Sequence, residues 1–292
     1  MVPHPMFSRP MTQNTYDDPS DDMELLRTAA VAAGIMGMGY FRTDLKTWSK
    51  ENASPVSEAD CQIDQFLCQT LMGARPHYGW LSEETDDDLV RLEKRRVFIV
   101  DPIDGTRGFI RGDDRWSICI AVVEDGKTIC GVVYAPAKDE MYEAVIGQGA
   151  KLNGMPLVFS PSGRTLPIIP AAEAVHTELK YAKLNYERGP ALPSLAHLLV
   201  QVATGTLDVA IGRRGARDWD IASASLILSE SGIELEDVCV GSPVLNKSET
   251  RHGALAAIGD SSLREIIHKA LKDVYGCPEN TKYTPPNETG EQ

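Results

Sequence analysis

Apolar residues recur at helical spacing from Leu25 through Ala29 and Ala33 toward Phe41, which predicts a first helix capped by Asp21 or Asp22. Ser54-Pro55-Val56 interrupts that pattern, and Ser57-Glu58-Ala59-Asp60 has the form of a capping box opening a second helix through Ile63, Phe66, Leu67 and Leu71. Asp60 therefore belongs to a first helical turn. Next comes a short Trp80-Leu81-Ser82 segment, then the paired acids Glu83-Glu84 and the run Asp86, Asp87 and Asp88, which reads as a solvated loop. Val97-Phe98-Ile99-Val100 is a continuous β-branched and aromatic run of the kind buried in a sheet. Trp116 to Val123 and Thr128 to Tyr134 read as two strands joined by Glu124-Asp125-Gly126-Lys127, and Glu140 to Ile146 as a third, giving an antiparallel meander.

Past a Gly/Pro-rich connection from Ser160 to Pro170 the pattern changes to alternating elements. A helix is predicted from Ser194 to Ala203, a strand from Leu207 to Ile211, and a helix from about Asp220 to Ser231 stopped by Gly232. A strand from Ala254 to Ile258 and a helix from Ser261 to Val274 follow. The 292-residue length favours two packed subdomains over one compact unit. The expected division is a disordered lead-in over 1–20, an α+β subdomain over 21–160, an α/β subdomain over 161–275 and a disordered tail over 276–292.

Composition narrows the partners. A net charge of −13 argues against a nucleic-acid polymer, which would call for a basic face. No apolar run reaches membrane-spanning length, and the polar start lacks the basic and apolar parts of a signal peptide, so a cytoplasmic location is expected. The six cysteines, at 61, 68, 119, 130, 239 and 277, contain no Cys-x-x-Cys pair and lie mostly in apolar runs, which predicts reduced thiols. The six histidines show no ligand spacing.

The candidate chemistry is Asp101-Pro102-Ile103-Asp104-Gly105-Thr106, two carboxylates three residues apart where an apolar strand meets a glycine turn. Pro102 has no N–H to continue a ladder and Gly105 permits a turn, so the acids are expected at an exposed rim. A single Asp-Gly would be read as an ordinary turn; two acids, a proline and a hydroxyl in fixed order point further. Phosphatases with a phospho-aspartate intermediate have their two aspartates separated by a single residue, whereas Pro102 and Ile103 both intervene here, which excludes them. An EF-hand needs oxygen ligands where Ile103 and Gly105 stand. Asp60, Glu83, Glu84, Asp101, Asp104 and Asp220 all fall at element ends. Their convergence would raise their pKa values unless cations intervene, and an all-oxygen set selects magnesium or manganese. Thr106 offers a hydroxyl to orient water, and the Gly105 and Thr106 N–H groups can bind phosphate oxygens.

Ser54-Pro55-Val56-Ser57-Glu58-Ala59-Asp60, Ser82-Glu83-Glu84, the 101–106 stretch, and Trp219-Asp220-Ile221-Ala222 followed by Glu230-Ser231-Gly232 together resemble the inositol monophosphatase superfamily of magnesium-dependent, lithium-sensitive phosphomonoesterases. The likeness spans most of the chain. It implies a layered α/β/α/β/α sandwich of the inositol monophosphatase and fructose-1,6-bisphosphatase type, with two or three ions per site. By the same resemblance Glu83, Asp101 and the Ile103 carbonyl hold one metal, and Asp101, Asp104 and Asp220 a second. Thr106, bonded to Asp60, positions the attacking water with help from Glu83, and Glu84 acts from behind the ligands. No phospho-enzyme is expected. Family members include both monomers and homodimers. Ser57 stands where many members have Thr, and Ile233 where a glycine is common.

The substrate is read from the approach to Asp220. Inositol phosphatases carry a glutamate seven residues before that aspartate; here the position is Arg213, with Arg214 and Arg217 following. Guanidinium groups favour a second anionic group on a small phosphate ester. Lys50 ahead of the 54–57 stretch resembles bacterial 3′(2′),5′-bisphosphate nucleotidases, which act on adenosine 3′,5′-bisphosphate. Arg107-Gly108-Phe109 is nearer to histidinol-phosphate phosphatases. Inositol 1-phosphate and histidinol phosphate are therefore the alternatives, and a transcription-associated binding role is the alternative of a different class.

Overall fold

The computed structural model describes residues 18–49 and 55–277. Lys50, Ser54, the start of the predicted lead-in and the tail beyond Cys277 lie outside the described residues. Seven strands form the larger sheet in the order Gly79–Ser82, Arg96–Asp104, Ser117–Glu124, Lys127–Ala135, Glu140–Val145, Ala150–Leu152 and Met155–Leu157. The first pair is parallel and the remainder antiparallel. Successive side chains on a strand point to opposite faces, and the continuous apolar run 97–100 uses both. Phe98 and Val100 join one core with Leu26, Ala30 and Ala33 of helix Pro19–Tyr40 and Ile63, Leu67 and Leu71 of helix Glu58–Ala74. Val97 and Ile99 join the opposite core, with Leu199 and Val202 of helix Leu195–Ala203 and Ile221, Ala224 and Leu228 of helix Asp218–Ser231.

A three-stranded sheet, ordered Val209–Gly212, Leu255–Ile258, Leu235–Asp237, lies beyond those two helices. Helices Glu173–Tyr181 and Arg264–Tyr275 back it through Val175, Leu179, Ile267 and Leu271. The layers are thus α/β/α/β/α. Helix Asp218–Ser231 sits in the middle layer and is apolar or small on most of its surface, as a helix covered all round must be. Gly131 lets it approach the large sheet: a Cβ there would come within 3.0 Å of Ser223 Cα. Thr128 Oγ1 donates to the Ala222 carbonyl at 2.7 Å, fixing the same contact with a hydrogen bond. Gly232, at φ 97°, ends the helix in the left-handed region.

Several expectations are corrected. The first helix is capped by Asp18, whose side chain accepts from Ser20 N at 2.8 Å; Pro19 occupies the first helical turn, so residues 18–20 are ordered. Asp22 is instead buried and accepts from Arg75 Nε, Tyr78 Oη and Arg96 Nη1 at 2.9, 2.8 and 3.2 Å. The strand expected to stop at Val100 runs on to Asp104, and the acids lie buried within it instead of at an exposed rim. Asp101 pairs with Cys119 and Asp104 with Ser117, so one extra residue bulges between them. Pro102 sits in that bulge, where a missing N–H breaks no regular ladder bond. Asp87 is no free member of a solvated run: Arg91, which is 2% exposed, grips both its oxygens at 3.0 and 2.7 Å. Cys239 and Cys277 form a disulfide with Cα atoms 5.6 Å apart, against the expected six thiols; Cys61, Cys68, Cys119 and Cys130 are in no disulfide. Only folding brings these two together across 38 residues.

Candidate metal centre

The bulge turns the end of the Arg96–Asp104 strand so that Asp101 and Asp104 meet. One oxygen from each of Asp101, Asp104 and Asp220 falls within a 4.8 Å group. Asp101 Oδ1 accepts from Ile103 N at 3.1 Å, while its Oδ2 is buried with no hydrogen-bond partner among the described residues. A buried carboxylate oxygen left this way costs free energy unless a cation or proton meets it. Asp104 sits against the start of helix Leu195–Ala203, where it accepts from Ser194 Oγ at 2.5 Å, Ala196 N at 2.7 Å and Leu195 N at 3.2 Å. First-turn N–H groups have no acceptor within their own helix and favour an anion there. Asp220 is the third residue of helix Asp218–Ser231, and its Oδ2 accepts from Arg217 N at 2.6 Å.

Gly105 follows with φ 95°, and a Cβ there would lie 2.9 Å from Ser194 N, so both conformation and space require glycine. Thr106 then opens a short helix to Ile110. Its Oγ1 lies 2.9 Å from Asp60 Oδ1 and 3.0 Å from the Ile103 carbonyl oxygen. Asp60 is fixed in turn, because its Oδ2 accepts from Ser57 N and Ser57 Oγ at 2.8 and 2.6 Å. Glu83 continues the Gly79–Ser82 strand, with its N–H donating to the Val100 carbonyl at 3.3 Å. That places it beside the Val100–Asp101 peptide of the neighbouring strand. Glu84 N donates to Ser82 Oγ at 3.3 Å.

Charge and burial act together here. Burial raises the Asp101 carboxyl well above the carboxylate range, and Glu83, Asp104, Asp220 and Glu84 add repulsion. Asp104 rises to about 6, mainly through burial, against the lowering effect of its three hydrogen bonds. Asp220 is likewise held well up by burial and by Asp104. Burial also raises Asp60, opposed by its bonds from Ser57 and Thr106. Such a cluster is relieved by a hard divalent cation, and all-oxygen donors with a bare Asp101 Oδ2 fit magnesium.

The arginines near Asp220 diverge. Arg213 is exposed. Arg214 Nη1 donates to the Tyr275 carbonyl at 3.3 Å. Arg217 lies over the Trp219 ring at 5.5 Å and donates to Thr250 Oγ1 at 3.0 Å and Glu249 Oε1 at 3.4 Å.

The family model described as the inositol monophosphatase family matches residues 18–274. The chain belongs to that family. A histidinol-phosphatase of Chlorobaculum parvum is 32% identical over 225 residues, covering 72% of this chain and 83% of its own. The Nus factor SuhB of Pasteurella multocida is 29% identical over 258 residues, covering 84% of this chain and 93% of its own. Among solved structures, the extragenic suppressor protein suhB of Bartonella henselae superposes with a TM-score of 0.72 at 27% identity, over 86% of this chain and 98% of that one. The inositol monophosphatase fold expected from the motifs is therefore the observed one. Its members are phosphatases that depend in general on magnesium. No helix among the described residues is long and apolar enough to cross a membrane.

Two supports of this inositol-monophosphatase-type centre escaped sequence reasoning. Asp64 accepts from Ser82 Oγ at 2.5 Å and Thr85 Oγ1 at 2.8 Å, bracing the segment that holds Glu83 and Glu84. Its position one turn after Asp60 on the predicted helix was the only available signal. Ser194 was visible as a helix start, yet its bond to Asp104 crosses 90 residues.

Proposed function

We propose that this protein is a magnesium-dependent phosphomonoesterase that hydrolyses a small phosphorylated metabolite by direct attack of water. The convergence of Asp101, Asp104 and Asp220 within 4.8 Å, beside the Thr106–Asp60 hydrogen bond, carries the reading. Glu83, Asp101, the Ile103 carbonyl, Asp104 and Asp220 would hold two or three magnesium ions, with manganese able to substitute. Magnesium supplies charge neutralisation on the phosphoryl oxygens, a more acidic water and stabilisation of the leaving alkoxide. Thr106 orients the attacking oxygen, and Asp60 fixes the Thr106 hydroxyl while Glu83 accepts a proton. Glu84 adds negative charge behind the ligands. Gly105 and Thr106 present backbone N–H groups to the phosphate.

The substrate reading rests on Arg213, exposed in the loop leading to Asp220, whose guanidinium would pair with a second anionic group. The preferred substrate is accordingly adenosine 3′,5′-bisphosphate, cleaved at its 3′-phosphate. Histidinol phosphate is the second reading, favoured by Arg107-Gly108-Phe109 and by the relative at 32% identity. Hydrolysis rates on adenosine 3′,5′-bisphosphate, inositol 1-phosphate and histidinol phosphate, with and without magnesium, test both. Preference for the bisphosphate supports the first reading, and preference for either other ester removes it. The named likeness to SuhB motivates a binding role as the reading of another class. Activity lost in Asp104→Ala with a partner interaction retained would favour that role.

A further inference from the structure

Metal ligands in this chain come from two distant stretches, Glu83 to Asp104 and the start of helix Asp218–Ser231. A chain of polar side chains, buried at Arg91, Asp218 and His252, joins them without touching the ligands themselves. Arg91 packs onto the strand that leads to Glu83, where a Cβ on Gly79 would lie 2.9 Å from Arg91 Cβ. Its guanidinium holds Asp87 on one side and reaches Asn246 Oδ1 at 2.6 Å and the Lys247 carbonyl at 2.9 Å on the other. Asn246 N then donates to Asp218 Oδ2 at 2.7 Å. His252 Nε2 lies 2.7 Å from Asp218 Oδ1. Backbone bonds close the ring: His252 N donates to the Ala216 carbonyl at 2.8 Å, and Gly215 N to the His252 carbonyl at 2.9 Å.

Asp218 is fully buried, and Arg91 and His252 are 2% and 7% exposed. Buried ion pairs gain little net stability over apolar residues of the same volume, because desolvation offsets their attraction. What they do supply is a fixed register between the groups they connect. Asp218 begins the helix on which Asp220 sits two residues later, so a shift of the 245–252 segment moves that ligand relative to Glu83.

We propose that Asp218, held by Arg91 through Asn246 and by His252, is a positioning residue that sets the separation of the two metal-bearing stretches. The inference rests on the metal-dependent phosphatase reading above. Calorimetric titration of magnesium into the chelator-treated full chain tests it, with the metal-free melting temperature as the control for folding. Asp218→Asn keeps the shape but loses the charge, and is expected to weaken magnesium binding by about tenfold or more. Arg91→Gln is expected to do the same, and the double variant to be no weaker than the worse single, because one linkage is broken either way. His252→Gln, which still donates to Asp218, should bind magnesium like the wild type, whereas His252→Leu should not.

Unchanged magnesium affinity in a folded Asp218→Asn protein overturns the proposal, as do losses that add in the double variant. Should Asp218→Asn fail to fold, the His252 pair decides, and equal binding by His252→Gln and His252→Leu overturns it. A wild-type chain that takes up no magnesium overturns the phosphatase reading itself and this inference with it. Wild-type binding with indifferent variants removes only the inference.

Discussion

Thr106 Oγ1 lies 2.9 Å from Asp60 Oδ1 across 46 residues of sequence, and Asp60 is itself held by Ser57 N and Oγ. A hydroxyl fixed in this way can orient a water, and a methyl cannot. Thr106→Ala is expected to lower kcat by about a hundredfold or more with little change in KM. Thr106→Ser should retain most of the rate. Steady-state kinetics at saturating magnesium check this, and an alanine variant as active as the serine variant would refute the assignment.

The acid cluster makes magnesium binding depend on pH. Burial first, and then repulsion from Glu83, hold Asp104 up at about 6. An unfolded aspartate titrates near about 3.9, so between those values the metal-free native state binds more protons than the unfolded state. Stability from this group is therefore complete below the lower value and lost as pH rises through the upper. Magnesium competes with the same proton. Protonation of Asp104 alone should make magnesium binding about fourfold weaker at pH ~5.5 than at pH ~7.5, and the upward shifts that burial imposes on Asp101 and Asp220 act in the same direction. Calorimetry at the two pH values measures it; a flat affinity would sink the electrostatic account.

Legibility in the sequence followed the range of the interactions. Strand and helix periodicity located the meander, and the capping pattern at Ser57 to Asp60 placed Asp60, the partner of Thr106, in a first turn, because those signals are local. Pro102 misled for the same reason: taken alone it ends a ladder, and only the register of Asp101 on Cys119 and Asp104 on Ser117 shows the bulge that absorbs it. Asp22 resembled a cap because its partners Arg75, Tyr78 and Arg96 lie 53 or more residues away. The directions of Arg214 and Arg217 were likewise set by Tyr275, Glu249 and Thr250, none of which is near in sequence.

Cys239–Cys277 ties the end of helix Arg264–Tyr275 to the turn after strand Leu235–Asp237, closing a loop of 38 residues. Cross-linking a loop of that length removes unfolded-state freedom and contributes about 2–4 kcal/mol. Cys277→Ser is expected to lose that much stability under oxidising conditions and nothing in excess reductant, where the wild type loses it too. Denaturant unfolding with and without reductant gives the comparison. A variant as stable as the oxidised wild type would show that the crosslink is not formed in solution.

Arg213 offers the sharpest test of substrate choice, because Arg214 and Arg217 are engaged with Tyr275, Glu249 and Thr250. An exposed guanidinium gains little from a solvated anion, and more once a bound substrate excludes water from the pair. Arg213→Glu restores the acceptor that inositol phosphatases carry at this position and repels a second phosphate. The KM for adenosine 3′,5′-bisphosphate is expected to rise about three- to tenfold, with kcat nearly unchanged because the metal ligands are untouched. The KM for inositol 1-phosphate should fall or stay level. Loss of both substrates to the same degree would mean that Arg213 supports the loop and reads no part of the leaving group, and the bisphosphate assignment would lose its footing.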